Sequence, residues 1–128
     1  MAEEVIDSYL HDSVQSGYYV LIAENSSHVA GYVCYGPTPL TESTWDIYWI
    51  AVTPEKQGKG VGSTLMEAAE KSIKGLGGRL AIIETSSIAS YEKTRRFHIR
   101  QGYEMVARVP DFYAFGDDKL IMQKRMVG

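Results

Sequence analysis

Gly58, Gly60 and Gly62 alternate within the segment Gln57-Gly58-Lys59-Gly60-Val61-Gly62-Ser63. Glycine at every second position lets backbone N–H groups approach a ligand that a Cβ would hold off. An apolar run, Ile47 to Val52, precedes the glycines. Thr53-Pro54 ends that run, because Pro54 has no N–H and disfavours helical backbone at Thr53. Val61, Leu65, Met66, Ala69, Ile73 and Leu76 then follow at helical spacing. A strand, a glycine loop and a helix start in that order make an anion site. Unsatisfied N–H groups and the partial positive charge of the helix start both favour a phosphate. The spacing predicts a pyrophosphate cradle. It does not match the G-x-G-x-x-G of a dinucleotide loop, and the G-x-x-x-x-G-K of a nucleotide loop is absent.

The elements that would position this loop can be read along the chain. Glu3 to Val14 places Val5, Ile6, Tyr9, Leu10 and Val14 on one face and predicts an amphipathic helix. Tyr18–Glu24 and His28–Tyr35 read as an antiparallel hairpin turning at Asn25-Ser26-Ser27, and Thr44–Val52 as the next strand. The helix from Val61 runs to about Leu76, supported by the Glu67–Lys71 and Glu70–Lys74 pairs and stopped by Gly75, Gly77 and Gly78. Arg79–Glu84 is a short apolar strand after a strand–helix unit, so a right-handed parallel crossover is expected. Ser86 or Ser87 is placed to N-cap a second helix reaching Gln101, with Gly102 after it. Glu104–Val109 is a strand stopped by Pro110, Asp111–Asp118 is a loop with Phe112, Tyr113 and Phe115 at its tip, and Lys119–Met126 is a last strand. This order predicts one α/β (α+β) domain over residues 1–128, with a mixed sheet and helices on it.

The whole-chain properties narrow the function. One domain of 128 residues can bury a single core, and 45% apolar with 23% charged residues is globular composition. A formal charge of −3 argues against a general nucleic-acid binder. The single cysteine, Cys34, allows no intrachain disulfide and suits a reducing cytosol, where it reads as a small buried apolar residue. No apolar run approaches the ~20 residues that span a bilayer. No His, Cys, Asp or Glu cluster has metal-ligand spacing, so no metal is expected. Arg95, Arg96 and Arg100 form a basic helix face, which is either solvated or in contact with phosphates.

Gln57-Gly58-Lys59-Gly60-Val61-Gly62 resembles the Q/R-x-x-G-x-G/A motif of the GNAT superfamily of acyl-CoA-dependent N-acetyltransferases. Ile50-Ala51-Val52-Thr53-Pro54 is similar to the strand and turn that precede that motif, and Phe97-His98 with Gly102-Tyr103 to a later helix signature. The resemblance covers roughly residues 16 to 126. It implies a mostly antiparallel sheet splayed between two parallel strands, Trp45–Val52 and Arg79–Glu84, with acetyl-CoA in the opening. Ile50, Ala51 and Val52 would then run beside the pantetheine, and Gln57 to Ser63 would hold the pyrophosphate. Tyr91 stands where many members have an asparagine that contacts CoA. The implied reaction is direct acetyl transfer to a primary amine of a small molecule or peptide. The base implied is Asp46, with Glu84 as its rival at the end of a parallel strand, where ligand chemistry gathers. His98 stands where the family's acid is usually a tyrosine, and histidine can donate a proton near neutral pH. The family's first strand and helix are expected to be missing, which makes the domain N-terminally short. Members are often homodimers. The contrasting expectation is an acyl-CoA-binding sensor of the same fold with impaired catalysis, and a weaker third is a nucleotide-binding domain without acyl chemistry.

Overall fold

The computed structural model describes residues 9–13, 17–25 and 28–126. Seven strands among them are β1 (Tyr9–Ser13), β2 (Tyr18–Asn25), β3 (His28–Pro37), β4 (Thr44–Val52), β5 (Leu80–Ser86), β6 (Glu104–Ala114) and β7 (Asp117–Arg125). The helices are α1 (Val61–Gly75) and α2 (Glu92–Arg100). The strands form one sheet in the order β1-β2-β3-β4-β5-β7-β6. Every pairing is antiparallel except β4 with β5, which are joined through α1 and lie parallel. This is the mixed, mostly antiparallel sheet expected from the order of elements, since a helical crossover returns the chain in the same direction.

α1 packs on β2, β3 and β4. Its buried residues Val61, Leu65, Met66, Ala69 and Ile73 are the apolar stripe of the sequence. Leu76, assigned to the same stripe, is the residue after the last helical turn and is exposed. Leu65, Met66 and Ile73 are almost wholly enclosed with Val33 and Tyr35 of β3. Burial of each large side chain stabilises by roughly 1.5–3 kcal/mol. One charged group enters this core. The carboxylate of Glu70 on α1 accepts from the Tyr103 hydroxyl and from Lys124 Nζ on β7, each at 2.8 Å. Lys124 also donates to the Gln101 carbonyl at 2.8 Å, which ties α1, the end of α2 and β7 together.

Three expectations are corrected. Tyr9–Ser13 is a strand paired with β2, not part of a helix. Helical spacing of apolar residues lost to pairing, because β2 offers an edge whose N–H and C=O groups need partners. The rest of that expected helix, residues 3–8 and 14, lies outside the described residues, as do residues 26–27 of the expected turn. Neither Ser86 nor Ser87 caps α2, which begins at Glu92 after a short 3-10 turn, Ala89–Tyr91. Ser86 Oγ instead accepts from the Ile88 N–H at 3.2 Å and donates to Asp117, while Ser87 Oγ accepts from the Asp118 N–H at 2.8 Å. Finally, Pro110 does not stop β6, which continues to Ala114 before a turn at Phe115-Gly116. β6 is an edge strand, so a missing N–H costs no ladder bond on its open side.

Candidate active site

The sheet opens at its parallel pair. β4 and β5 are paired only from Thr44 to Ile47 against Leu80 to Ile83. Beyond that, β4 follows β3 to Val52 and β5 follows β7 to Ser86. The divergence begins at a bulge. Cys34 of β3 faces Trp49 whereas Tyr35 faces Ile47, so Tyr48 is the extra residue. An extra residue reverses the alternation of the strand. Trp45 and Ile47 before it, and Ile50 and Val52 after it, therefore all meet the same core.

The bulge leaves the far half of β4 with an open edge. Thr53 N–H donates to the Ala30 carbonyl of β3 at 2.8 Å. The Val52 carbonyl, on the other side of that trans peptide plane, points to the open edge. There it accepts from Gln57 Nε2 at 3.1 Å. Ile50, two residues earlier, shares this alternation. The strand thus offers backbone groups to a ligand in the opening, and Gln57 folds the glycine loop back against its end.

Gly58 and Gly60 have φ of +78° and +88°, which strain any residue with a Cβ. Gly60 precedes the first turn of α1, and the N–H groups of Val61, Gly62 and Ser63 have no acceptor one turn earlier. A Cβ on Gly62 would lie 3.2 Å from the Phe97 ring of α2, so its absence lets the two helices meet. Gln101 Nε2 completes the junction by donating to Ser63 Oγ at 2.9 Å. Ile50, Val52, Gln57, Gly58, Gly60, Gly62 and Ser63 line one cavity of about 530 Å³. Its wall also carries Lys56, Lys93 and Arg100 and, among the described residues, no carboxylate. Donors, helix start and cations converge on the same space, which is suited to a polyanion.

A second cavity of about 510 Å³ lies further along the opening and shares Ile50 and Thr94 with the first. Glu84 and Asp117 are its carboxylates, and His98 lines it too. Glu84 is half exposed and 3.5 Å from Lys119 Nζ. Asp46 sits opposite Ile82 of β5, on the strand face that Glu84 shares, but lines neither cavity. Burial raises its carboxyl pKa; Thr38 beside it pulls the other way and the charge of Glu84 adds to the rise. His98 is buried against Phe97 and Tyr103, and its Nδ1 has no partner among the described residues. Loss of water pushes its pKa down to about 4. At neutral pH the ring is therefore held neutral.

Of the other residues singled out in the sequence, Ala51 and Lys59 are exposed outside both cavities, Val61 is buried under α1, and Tyr91 lines the second cavity. The three arginines separate. Arg100 lines the first cavity, Arg95 donates to the carbonyls of Ser86 and Ile88 at 2.8 Å each, and Arg96 pairs with Glu92 at 2.7 Å. Sequence reasoning missed Lys56, Lys93 and Phe97 on the first cavity and Tyr48, Trp49 and Asp117 on the second. The i, i+4, i+7 spacing of Lys93, Phe97 and Arg100 on α2 could have revealed the former. Nothing local marks the bulge that turns Tyr48 and Trp49 toward the opening.

A mixed sheet split at its parallel pair, with a glycine-rich helix start at the mouth, defines an acyl-CoA-type transferase architecture. The model of the acetyltransferase (GNAT) family matches residues 2–103, and the chain belongs to that family. A GNAT-family protein from Desulfovibrio desulfuricans is 43% identical, with a TM-score of 0.87 over 88% of this chain and 71% of that one. The Salmonella typhimurium protein yncA, solved with its cofactor acetyl-CoA, shares the fold at 24% identity and a TM-score of 0.73, over 87% of this chain and 66% of that one. The curated tRNA(Met) cytidine acetyltransferase TmcA of Saccharolobus islandicus is 40% identical over 62 residues, 48% of this chain. The match spans only 8% of the length of that relative. Among the described residues no helix is long and apolar enough to cross a membrane, and no group of His, Cys, Asp and Glu could hold a metal ion.

Proposed function

We propose that this chain moves the acetyl group of acetyl-CoA directly to a primary amine. The observation that carries this reading is a single groove, opened by the bulge at Tyr48, with cations and helix-start N–H groups at one end and carboxylates at the other. The pyrophosphate would meet the N–H groups around Gly58–Ser63, and the pantetheine would run along Ile50 and Val52. Glu84, which reaches the groove, would take a proton from the entering ammonium; Asp46 on the same face is the alternative base. The amine nitrogen then attacks the thioester carbon, the C–N bond forms as the C–S bond breaks, and of the two protons left on nitrogen one passes to the thiolate while the other stays in the amide. His98, neutral at working pH, would serve as a hydrogen-bonding group rather than as an imidazolium acid. The same observation favours one second reading, an acyl-CoA sensor in which transfer is impaired.

Two measurements test the proposal. CoA should raise the melting temperature while NAD and ATP should not; stabilisation by NAD or ATP alone would overturn the cofactor assignment. Thiol release from acetyl-CoA in the presence of an amine panel should then be seen. CoA binding without release for any amine would leave the sensor as the better reading.

A further inference from the structure

The two ends of the groove differ in charge, and the difference bears on the acceptor. No lysine or arginine lines the second cavity among the described residues, whereas Glu84 and Asp117 both do. Lys119 neutralises part of Glu84 from outside the lining. Asp117 accepts from Ser86 Oγ, and Ser86 is two residues beyond Glu84 on the same strand face. The two carboxylates therefore stand at neighbouring positions on the wall of one cavity. The rim is aromatic. Trp49, Tyr91 and Tyr113 are each about half exposed there. Tyr113, Glu84, Asp117 and Tyr91 all line this cavity, and burial together with Glu84, Asp117 and Tyr91 holds the Tyr113 hydroxyl above its usual pKa. Independently, His98 lines the cavity while 3% exposed, and its buried Nδ1 is unpartnered. Buried polar atoms without a partner are uncommon and recur at functional sites. Because His98 is neutral, it does not repel a cation.

We infer that the acceptor is an amine bearing a second fixed positive charge and no carboxylate. This rests on the acetyl-transfer reading above. One ammonium loses its proton at Glu84 and reacts. The second is held by Asp117 and by the aromatic faces of the rim, where cations are attracted to the π-systems. Among the described residues the lining has no lysine or arginine to pair with the carboxylate of a free amino acid, Lys119 being engaged with Glu84 from outside it, so that carboxylate would meet Glu84 and Asp117 as like charges. Two carboxylates on the wall of one cavity of about 510 Å³ favour two nitrogens joined by a short alkyl chain.

The test is thiol release at saturating acetyl-CoA with putrescine, butylamine and glutamate as acceptors. We expect putrescine to exceed butylamine in kcat/KM by about tenfold or more, the effect of one charge pair, with glutamate lowest. In Asp117→Asn the advantage of putrescine over butylamine should shrink to about threefold or less, mainly through KM. Trp49→Ala, at an exposed position, repeats the test if the Asp117 variant does not fold. Equal rates for putrescine and butylamine in the unaltered protein, or a preference for glutamate, would overturn the inference while acetyl transfer stands. CoA binding with no thiol release for any amine would overturn both.

Discussion

His98 should make the fold acid-sensitive, by an amount that follows from its burial. Its folded pKa is about 4, against an ordinary value of 6.5. Between these two values the unfolded chain binds a proton that the folded chain refuses. Stability is unaffected by this group above about pH 6.5, and it falls as pH drops from there to about 4. The full shift corresponds to about 3 kcal/mol, a large part of the 5–15 kcal/mol that stabilises an ordinary domain. Other groups contribute too, Asp46 with the opposite sign because its folded pKa is raised. The comparison is therefore with His98→Gln. Urea unfolding of both proteins at intervals from pH 7.5 to 4 should give a stability difference that is flat near pH 7 and moves by about 3 kcal/mol in favour of the variant by pH 4. The Cε1 proton of His98, followed by NMR, should titrate near pH 4. A difference independent of pH, or a midpoint near 6.5, would refute the argument that burial keeps this ring neutral.

Three further outcomes are expected. Gly60→Asp strains a backbone at φ +88° and sets a negative charge at the start of α1, so CoA affinity measured calorimetrically should fall by about tenfold or more; unchanged affinity would remove the loop from the binding site. Glu84→Gln should lower kcat by about a hundredfold and Asp46→Asn by much less, since only Glu84 lines the groove; the reverse order in steady-state assays would make Asp46 the base. Lys124→Met leaves the buried Glu70 carboxylate with only the Tyr103 hydroxyl, and should cost about 2–3 kcal/mol in urea unfolding. Glu70→Gln in the same background should recover part of that loss.

Elements with strong local signals were legible in the residues. β4 is Thr44–Val52 in the sequence reading and in the fold. α1 has the apolar stripe and the glycine start that its spacing predicts, because the helical period and the need for positive φ are properties of a few neighbouring residues. Signals failed where a partner strand decided. Tyr9–Ser13 has helical spacing but pairs with β2, and Pro110 would end an inner strand but is tolerated at an edge.

The division is sharpest at the groove. By itself the sequence pointed to the candidate anion site, since Gln57, the three glycines and the helix start lie within one short segment and present their own backbone groups. Only the tertiary structure decided the other half. The bulge at Tyr48 exists only in the register between β3 and β4, and it opens the edge at Ile50 and Val52. The same opening turns Trp49 toward Tyr91 and Tyr113, brings Asp117 to Glu84, and encloses His98 enough to take away its charge. Those residues come from β4, β5, β6, β7, α2 and the 3-10 turn before it. Burial and charge pairing depend on what packs beside a residue, and adjacency along the chain does not contain that information.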